Sequence, residues 1–173
     1  VGYRGLSSHG ATIGIILSII LYKIKYKYES VLWIFDRLVI VVAFGGMLVR
    51  IGNFFNSEIV GNYTNSNFGV IFLNRSETLP RHPAQLYESF GYLILFIILY
   101  TLYHKTKLRD KKGFFFGFFL IFLFGVRFVV EYVKESQGGI ENYLGLLTTG
   151  QWLSIPFMLI GLIILLRSNL KKI

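Results

Sequence analysis

The chain predicts an all-α fold, a polytopic transmembrane bundle of about five helices with a small outer loop or lid, and three observations carry that prediction. Of its 173 residues, 54% are hydrophobic and 17% aromatic, and the mean hydropathy is +0.58, more apolar surface than one soluble core of this size can bury. The apolar residues come in continuous blocks of roughly 15 to 20, the length of membrane-crossing helices, whereas a barrel shows alternating segments of about 10. Charge is segregated too, because the whole formal net charge of +9 falls in alternate links between the blocks.

Five blocks follow in order: Ser8 to Tyr22, Val31 to Val49, Ala84 to Tyr103, Phe114 to Val133 and Gln151 to Leu166. The first and last are short. A 16-residue helix rises about 24 Å against a core of ~30 Å, so flanking residues such as Tyr22 and Trp152 must complete the crossing. The third follows His82-Pro83, where a proline suits a first helical turn and Glu88 meets the positive end of the helix dipole. In the fourth, the run Phe114 to Phe124 makes a lipid-facing or packing surface. Between the second and third, Asn62 to Pro83 is rich in Asn, Ser, Thr and Gly and holds a short β-like piece, Phe68 to Leu73, which together suggest a compact outer lobe. Gln137 to Gly150 is a second outer loop. Residues 1–173 therefore read as one transmembrane domain with a periplasmic loop region at 62–83, and the initial Val, with no initiator Met, leads us to expect further spans upstream.

Charge sets the orientation. The links after the first, third and fifth blocks, with Arg37, carry twelve basic residues against Glu29, Asp36 and Asp110, whereas the other side holds six basic and six acidic residues. By the positive-inside rule the basic face is cytoplasmic, so the excess is an insertion signal and not a nucleic-acid footprint. The chain has no cysteine, which excludes disulfides, thiolate metal sites and a thiol nucleophile of its own.

The polar membrane residues gather toward the outer leaflet. His9 opens the first block, Arg50 closes the second, His82, Gln85 and Glu88 open the third, Arg127 and Glu131 end the fourth, and Gln151 starts the fifth. Ionisable side chains at bilayer depth are costly and by default mark a handled polar substrate. Arg127 and Glu131, four apart, can form a structural ion pair or serve a site. Arg50 has no acid nearer in its run than Glu58, and two guanidiniums suit a phosphodiester, since each chelates phosphate oxygens in a fork. His9 reads either as an interfacial histidine or as a base. Asn53 and Asn56 can cap a helix end or line a pocket. A zinc site from His9, His82 and Glu58 is disfavoured, because no HExxH or close His pair exists, and no cofactor is required.

The run Arg50-Ile-Gly-Asn-Phe-Phe-Asn-Ser-Glu-Ile-Val-Gly61 resembles the signature of the prolipoprotein diacylglyceryl transferase family. The resemblance extends, in order, to His9-Gly10, to His82-Pro-Ala-Gln-Leu-Tyr-Glu88, to Arg127-Phe-Val-Val-Glu131 and to Gly150-Gln-Trp-Leu-Ser-Ile-Pro156, with Val49 standing where the family usually has Gly. It implies an enzyme of the bacterial inner membrane that moves a diacylglyceryl group from phosphatidylglycerol to the lipobox cysteine of a prolipoprotein signal peptide, releasing glycerol phosphate. It implicates His9, Arg50, Asn53, Glu58, Gly61, Arg127 and Glu131 in activity. The resulting expectation is a catalytic set of His9, Arg50, Arg127 and Glu131, with Arg50, Asn53, Asn56, Glu58, Gly61, His82, Tyr87 and Gln151 binding phosphatidylglycerol and the active face toward the periplasm. Membrane lipids are the other expected partners and nucleic acid is not one. A transporter, which would place its charges near the midplane, and a non-catalytic scaffold are the rival readings.

Overall fold

The computed structural model describes residues 8–26, 30–135 and 147–170, the side chains of 8–12 and 169–170 excepted. Among the described residues there are five α-helices: α1 (Ser8–Lys25), α2 (Val31–Phe55), α3 (Ala84–Lys105), α4 (Phe114–Val130) and α5 (Thr149–Leu170). Segments of α2, α3 and α5, and the stretch Phe114–Val133, are long and apolar enough to cross a membrane. Each sequence block thus becomes a helix, and several overrun the apolar limit. Helix α2 continues past Val49 to Phe55, so Arg50 and Asn53 sit on its last two turns and not beyond it. Most of the second outer loop, residues 136–146, lies outside the described residues.

Without a water-driven force between helices in lipid, close approach and polar contacts must hold the bundle. Helices α4 and α5 meet at Gly117 and Gly161, where a Cβ on either glycine would lie 2.8 Å from the other's carbonyl oxygen. Helix α3 approaches α4 at Gly91, against Val126, and approaches α2 at Gly46, against Tyr92. Between them lies a core of Val39, Ala43, Leu95, Leu99, Phe115, Phe119 and Leu120. Helix α1 is different: Ile13, Ile16, Leu17, Ile20, Leu21 and Ile24 are exposed, and Ile19 is its buried residue.

The basic end is fixed by a residue read from sequence only as a charge. Helix α4 begins at Gly113, whose φ of +91° favours glycine and whose side chain cannot cap. Asp36 of α2, 2% exposed, supplies the cap instead: its carboxylate accepts from the backbone N–H groups of Gly113 at 2.5 Å and Phe116 at 2.9 Å. Two of the orphan donors of α4 are thereby satisfied from another helix.

The outer lobe between α2 and α3 is built without a strand among the described residues. In place of the β-like Phe68 to Leu73, single antiparallel bridges join Tyr63 and Val70 to Arg81, and Leu73–Arg75 forms a 3₁₀ turn. The piece has no neighbour long enough to extend the ladder, and Gly69 packs against Pro80, which has no N–H to offer one.

Asp36→Ala leaves two buried N–H groups unpaired, at roughly 1–3 kcal/mol each. We expect a lowered midpoint in unfolding titrations in micelles, with Asp36→Asn, which keeps an acceptor, losing less.

Candidate functional site at the acidic-basic end of the bundle

The last two turns of α2 and the turn after it place three of the expected residues in a chain. Arg50 Nη1 lies 3.4 Å from Asn53 Oδ1, and Asn53 Nδ2 donates to Glu58 Oε2 at 3.0 Å. The turn is strained on both sides of Glu58: Ser57 and Ile59 have φ of +57° and +56°. A β-branched residue in the left-handed region costs about 1–2 kcal/mol, and such strain persists where the surroundings over-determine it. Here the Gln85 side-chain amide donates to the Glu58 carbonyl at 2.6 Å, while Val60 is buried at 1% exposure. Asn56 is the C-cap of α2 and its side chain is exposed, apart from this chain of contacts.

Gly61 is where three segments meet. Its N–H donates to the His82 carbonyl at 2.9 Å, the next N–H, of Asn62, donates to Val133 at 2.8 Å, and any Cβ would stand 2.5 Å from one carbonyl and 2.7 Å from the other. Glycine is needed for that approach. His82 in turn lies with Nδ1 3.2 Å from the Tyr87 hydroxyl, so these two expected residues form a pair.

The strongest electrostatic feature joins three elements. Arg50 Nε is 2.8 Å from Glu88 Oε2 of α3, whose side chain is 1% exposed. The other oxygen of Glu88 is 3.6 Å from Lys134 Nζ, and Lys134 is also 3.5 Å from Glu131 Oε2. Lys134 is only 5% exposed by side chain. In sequence this lysine has no role beyond its place among the six basic residues of the less basic side; its i,i+3 spacing from Glu131 was the available signal. Glu88 likewise reads from sequence as a dipole partner of α3, where the carboxylate in fact holds Arg50. Tyr92, one turn after Glu88 and 4% exposed, lies within electrostatic reach of Glu88, Arg50 and Arg127.

Arg127 and Glu131 do not pair. Helix α4 gives way at Glu131 to a 3₁₀ turn, Glu131–Val133, which carries the carboxylate toward Lys134. Arg127 forms no ion pair among the described residues, and its buried Nε has no hydrogen-bond partner. Gln151 is 1% exposed and structurally engaged: it closes a reciprocal cap with Thr148 (3.1 and 3.3 Å) and donates to the Phe128 carbonyl at 3.3 Å. His9 lies on the first turn of α1, and its side chain is outside the described residues. An open apolar groove of about 410 Å³ runs between α3 and α4, lined by Tyr87, Phe90, Gly91, Phe122, Gly125, Val126, Val129 and Val130.

Beyond the helices, Arg81 anchors the lobe to this end. It is 4% exposed, bonds Glu77 at 2.6 Å, Glu135 at 3.0 Å and the Gly61 carbonyl at 3.0 Å, and lies 3.8 Å from the Tyr63 ring centroid. Burial opposes its charge, but the Glu77 bond and the charge of Glu135 outweigh it and hold its pKa above the ordinary range. Reciprocally, the Arg81 hydrogen bond, helped by Arg75, holds Glu77 below its usual 4.5 despite partial desolvation.

The model of the prolipoprotein diacylglyceryl transferase family matches residues 1–167. The phosphatidylglycerol–prolipoprotein diacylglyceryl transferase of Tolumonas auensis is 45% identical over 168 residues, covering 97% of this chain and 64% of the relative. The protein of the same description from Bacteroides fragilis is 42% identical over 173 residues, covering 99% and 61%, and that from Chloroherpeton thalassium is 38% identical over 168 residues, covering 97% and 62%. The chain thus spans a little under two thirds of the length of these relatives.

Because the folded-state pKa of Glu77 is depressed, its contribution to the lobe is complete above 4.5 and is lost as pH falls through the lower folded value. Exchange of the Val70 and Arg81 amides, which bond each other's carbonyls at 2.9 Å, should be flat from neutral pH to about 5 after correction for intrinsic rates, then accelerate on acidification. Glu77→Gln should remove the acid-side acceleration.

Proposed function

This chain belongs to the prolipoprotein diacylglyceryl transferase family, and from that premise we propose that it is the core of an enzyme transferring a diacylglyceryl group from phosphatidylglycerol to the lipobox cysteine of a prolipoprotein. The observation that carries the proposal is Arg127: a cation on a membrane-spanning helix, without a counter-charge among the described residues, that shares the neighbour Tyr92 with a second guanidinium, Arg50, already oriented by Glu88 and Asn53. An uncompensated cation at such a place calls for an anion, and a phosphodiester supplies one negative charge and planar-fork acceptors.

In the reaction, the bond between the glyceryl carbon and the phosphate oxygen breaks. Its electron pair stays on the phosphate oxygen while the cysteine sulfur forms the new carbon–sulfur bond. Arg127 and Arg50 stabilise the growing charge on the leaving glycerol phosphate, with Asn53 as an amide donor. The thiol, of ordinary pKa about 8.5, gives its proton to His9, whose imidazole suits proton uptake near neutral pH. Glu88, Glu58 and Glu131 hold the cations and amides in place and stay out of the chemistry. The apolar groove between α3 and α4, lined by residues adjacent in sequence to Glu88 and Arg127, is suited to one acyl chain of the substrate. The site end faces the periplasm and the outer leaflet of the bacterial inner membrane, with the basic end in the cytoplasm.

Membranes holding the full-length protein, phosphatidylglycerol and a lipobox peptide should yield a peptide heavier by one diacylglyceryl group, and none when its Cys is replaced by Ser. Arg50→Lys keeps the charge but loses the fork, so transfer should fall by roughly 30- to 1000-fold, about 2–4 kcal/mol, at near-normal expression. Full activity in Arg50→Lys, or modification of the Ser peptide, contradicts the mechanism.

A reporter active only in the periplasm should work when fused near Asn65 and stay silent when fused near Arg109. The reverse pattern would invert the orientation and remove the outer-leaflet substrate.

A further inference from the structure

Four charges stand in a row at the site: Glu131, Lys134, Glu88 and Arg50, separated by 3.5, 3.6 and 2.8 Å. Three elements supply them, α2, α3 and the 3₁₀ turn after α4. Helix α5 contributes no charge, yet it touches the end of the row at one point. The Glu131 carboxyl group lies directly over Gly150, so a Cβ built there would overlap its Cδ and Oε1 and lie 2.5 Å from Oε2.

That contact cannot be relieved cheaply on the α5 side. Gly150 sits in the first turn between Thr148 and Gln151, whose reciprocal cap fixes the turn, and Gln151 is tied to Phe128 of α4. Ser154 adds a bond to the Gly150 carbonyl at 2.6 Å. The carboxylate is therefore the side that gives: Glu131 Oε2 is buried with no hydrogen-bond partner and is held by Lys134 at 3.5 Å, so a Cβ on Gly150 would displace it from the cation. The seat also places the carboxylate at the positive end of the α5 dipole, where a negative charge is favoured.

We propose that Gly150 is a positioning residue for transfer: its bare Cα seats Glu131, and through Lys134 and Glu88 that seat sets the Arg50 guanidinium against the phosphate. The inference rests on the transfer reaction above. A purely packing glycine is the competing reading, and Gly161, where a Cβ would lie 2.8 Å from the Gly117 carbonyl across the α4–α5 contact, is the internal standard for one.

Gly150→Ala and Gly161→Ala are made in the full-length protein, and turnover is normalised to folded protein. Gly150→Ala should lower kcat by roughly 10- to 100-fold with little change in KM, as expected for a misplaced stabilising group. Gly161→Ala should lower thermal stability and leave normalised kcat within about 3-fold. Glu131→Asp, which retracts the carboxylate by one methylene, should restore part of the loss in the Gly150→Ala background while lowering activity by itself. In ¹⁵N-arginine-labelled protein, the Arg50 Nε–H resonance should shift in Gly150→Ala and not in Gly161→Ala. Unchanged normalised kcat together with an unmoved Arg50 resonance overturns the proposal, as does failure of Glu131→Asp to rescue. If the parent transfers nothing, the reaction is wrong, and the Arg50 resonance still decides whether the seat controls the row.

Discussion

The burial of Glu88 is the constraint on which the site end depends. A carboxylate 1% exposed among membrane helices has to be compensated, and it is shared between Arg50 of α2 at 2.8 Å and Lys134 at 3.6 Å. Removing one partner of a buried pair costs about 3–5 kcal/mol, because a charge is stranded, so α2, α3 and the turn after α4 are obliged to converge. Small contacts beneath permit the convergence: Ser89 donates to the Met47 carbonyl at 3.2 Å, and Gly46 and Gly91 let Tyr92 and Val126 approach their backbones. The strained turn at Ser57 and Ile59 follows from the same demand, since the chain must reverse sharply to bring Glu58 back to Asn53.

A second polar tie governs the other end. Asp36 joins α2 to the start of α4, as Glu88 joins α3 to the end of α2, so the helices are pinned at both ends by carboxylates with apolar packing between. In lipid this division is expected. Apolar side chains gain little by preferring one another over acyl chains, whereas an unsatisfied polar group in hydrocarbon has a single remedy, a specific partner. Helix α1 carries no such tie among the described residues, and its apolar faces stay open.

The helices were legible because a span needs only composition and length, both of which are local. For the candidate residues, sequence proximity was legible and the wiring between elements was not. Arg50, Asn53 and Glu58 are close in sequence, and their order along one chain of contacts could be anticipated. The Lys134–Glu88 and Asp36–Gly113 contacts join residues 46 and 77 positions apart, and no periodicity announces such pairings. The Arg127–Glu131 pairing failed for a local reason, because i,i+4 geometry presumes that the helix continues, and α4 tightens into a 3₁₀ turn at Glu131. Gly150 was quoted in a motif without a role, since the need for a missing side chain depends on what lies above it.

Charge accounting links this wiring to the chemistry. Arg50 and Lys134 are paired with two shielded carboxylates, Glu88 and Glu131, Arg127 forms no ion pair among the described residues, and Glu58 is exposed and screened by solvent. The shielded set therefore carries one positive charge in excess, which would match the single negative charge of the proposed phosphodiester substrate. Without the carboxylates, three cations would repel one another and fold away from the site. With them, two cations are fixed and the third, Arg127, keeps its capacity for an anion. On the proposed reading, reorganisation is done on folding and not at the moment charge shifts to a leaving group, which is the condition under which fixed dipoles and charges accelerate a reaction most.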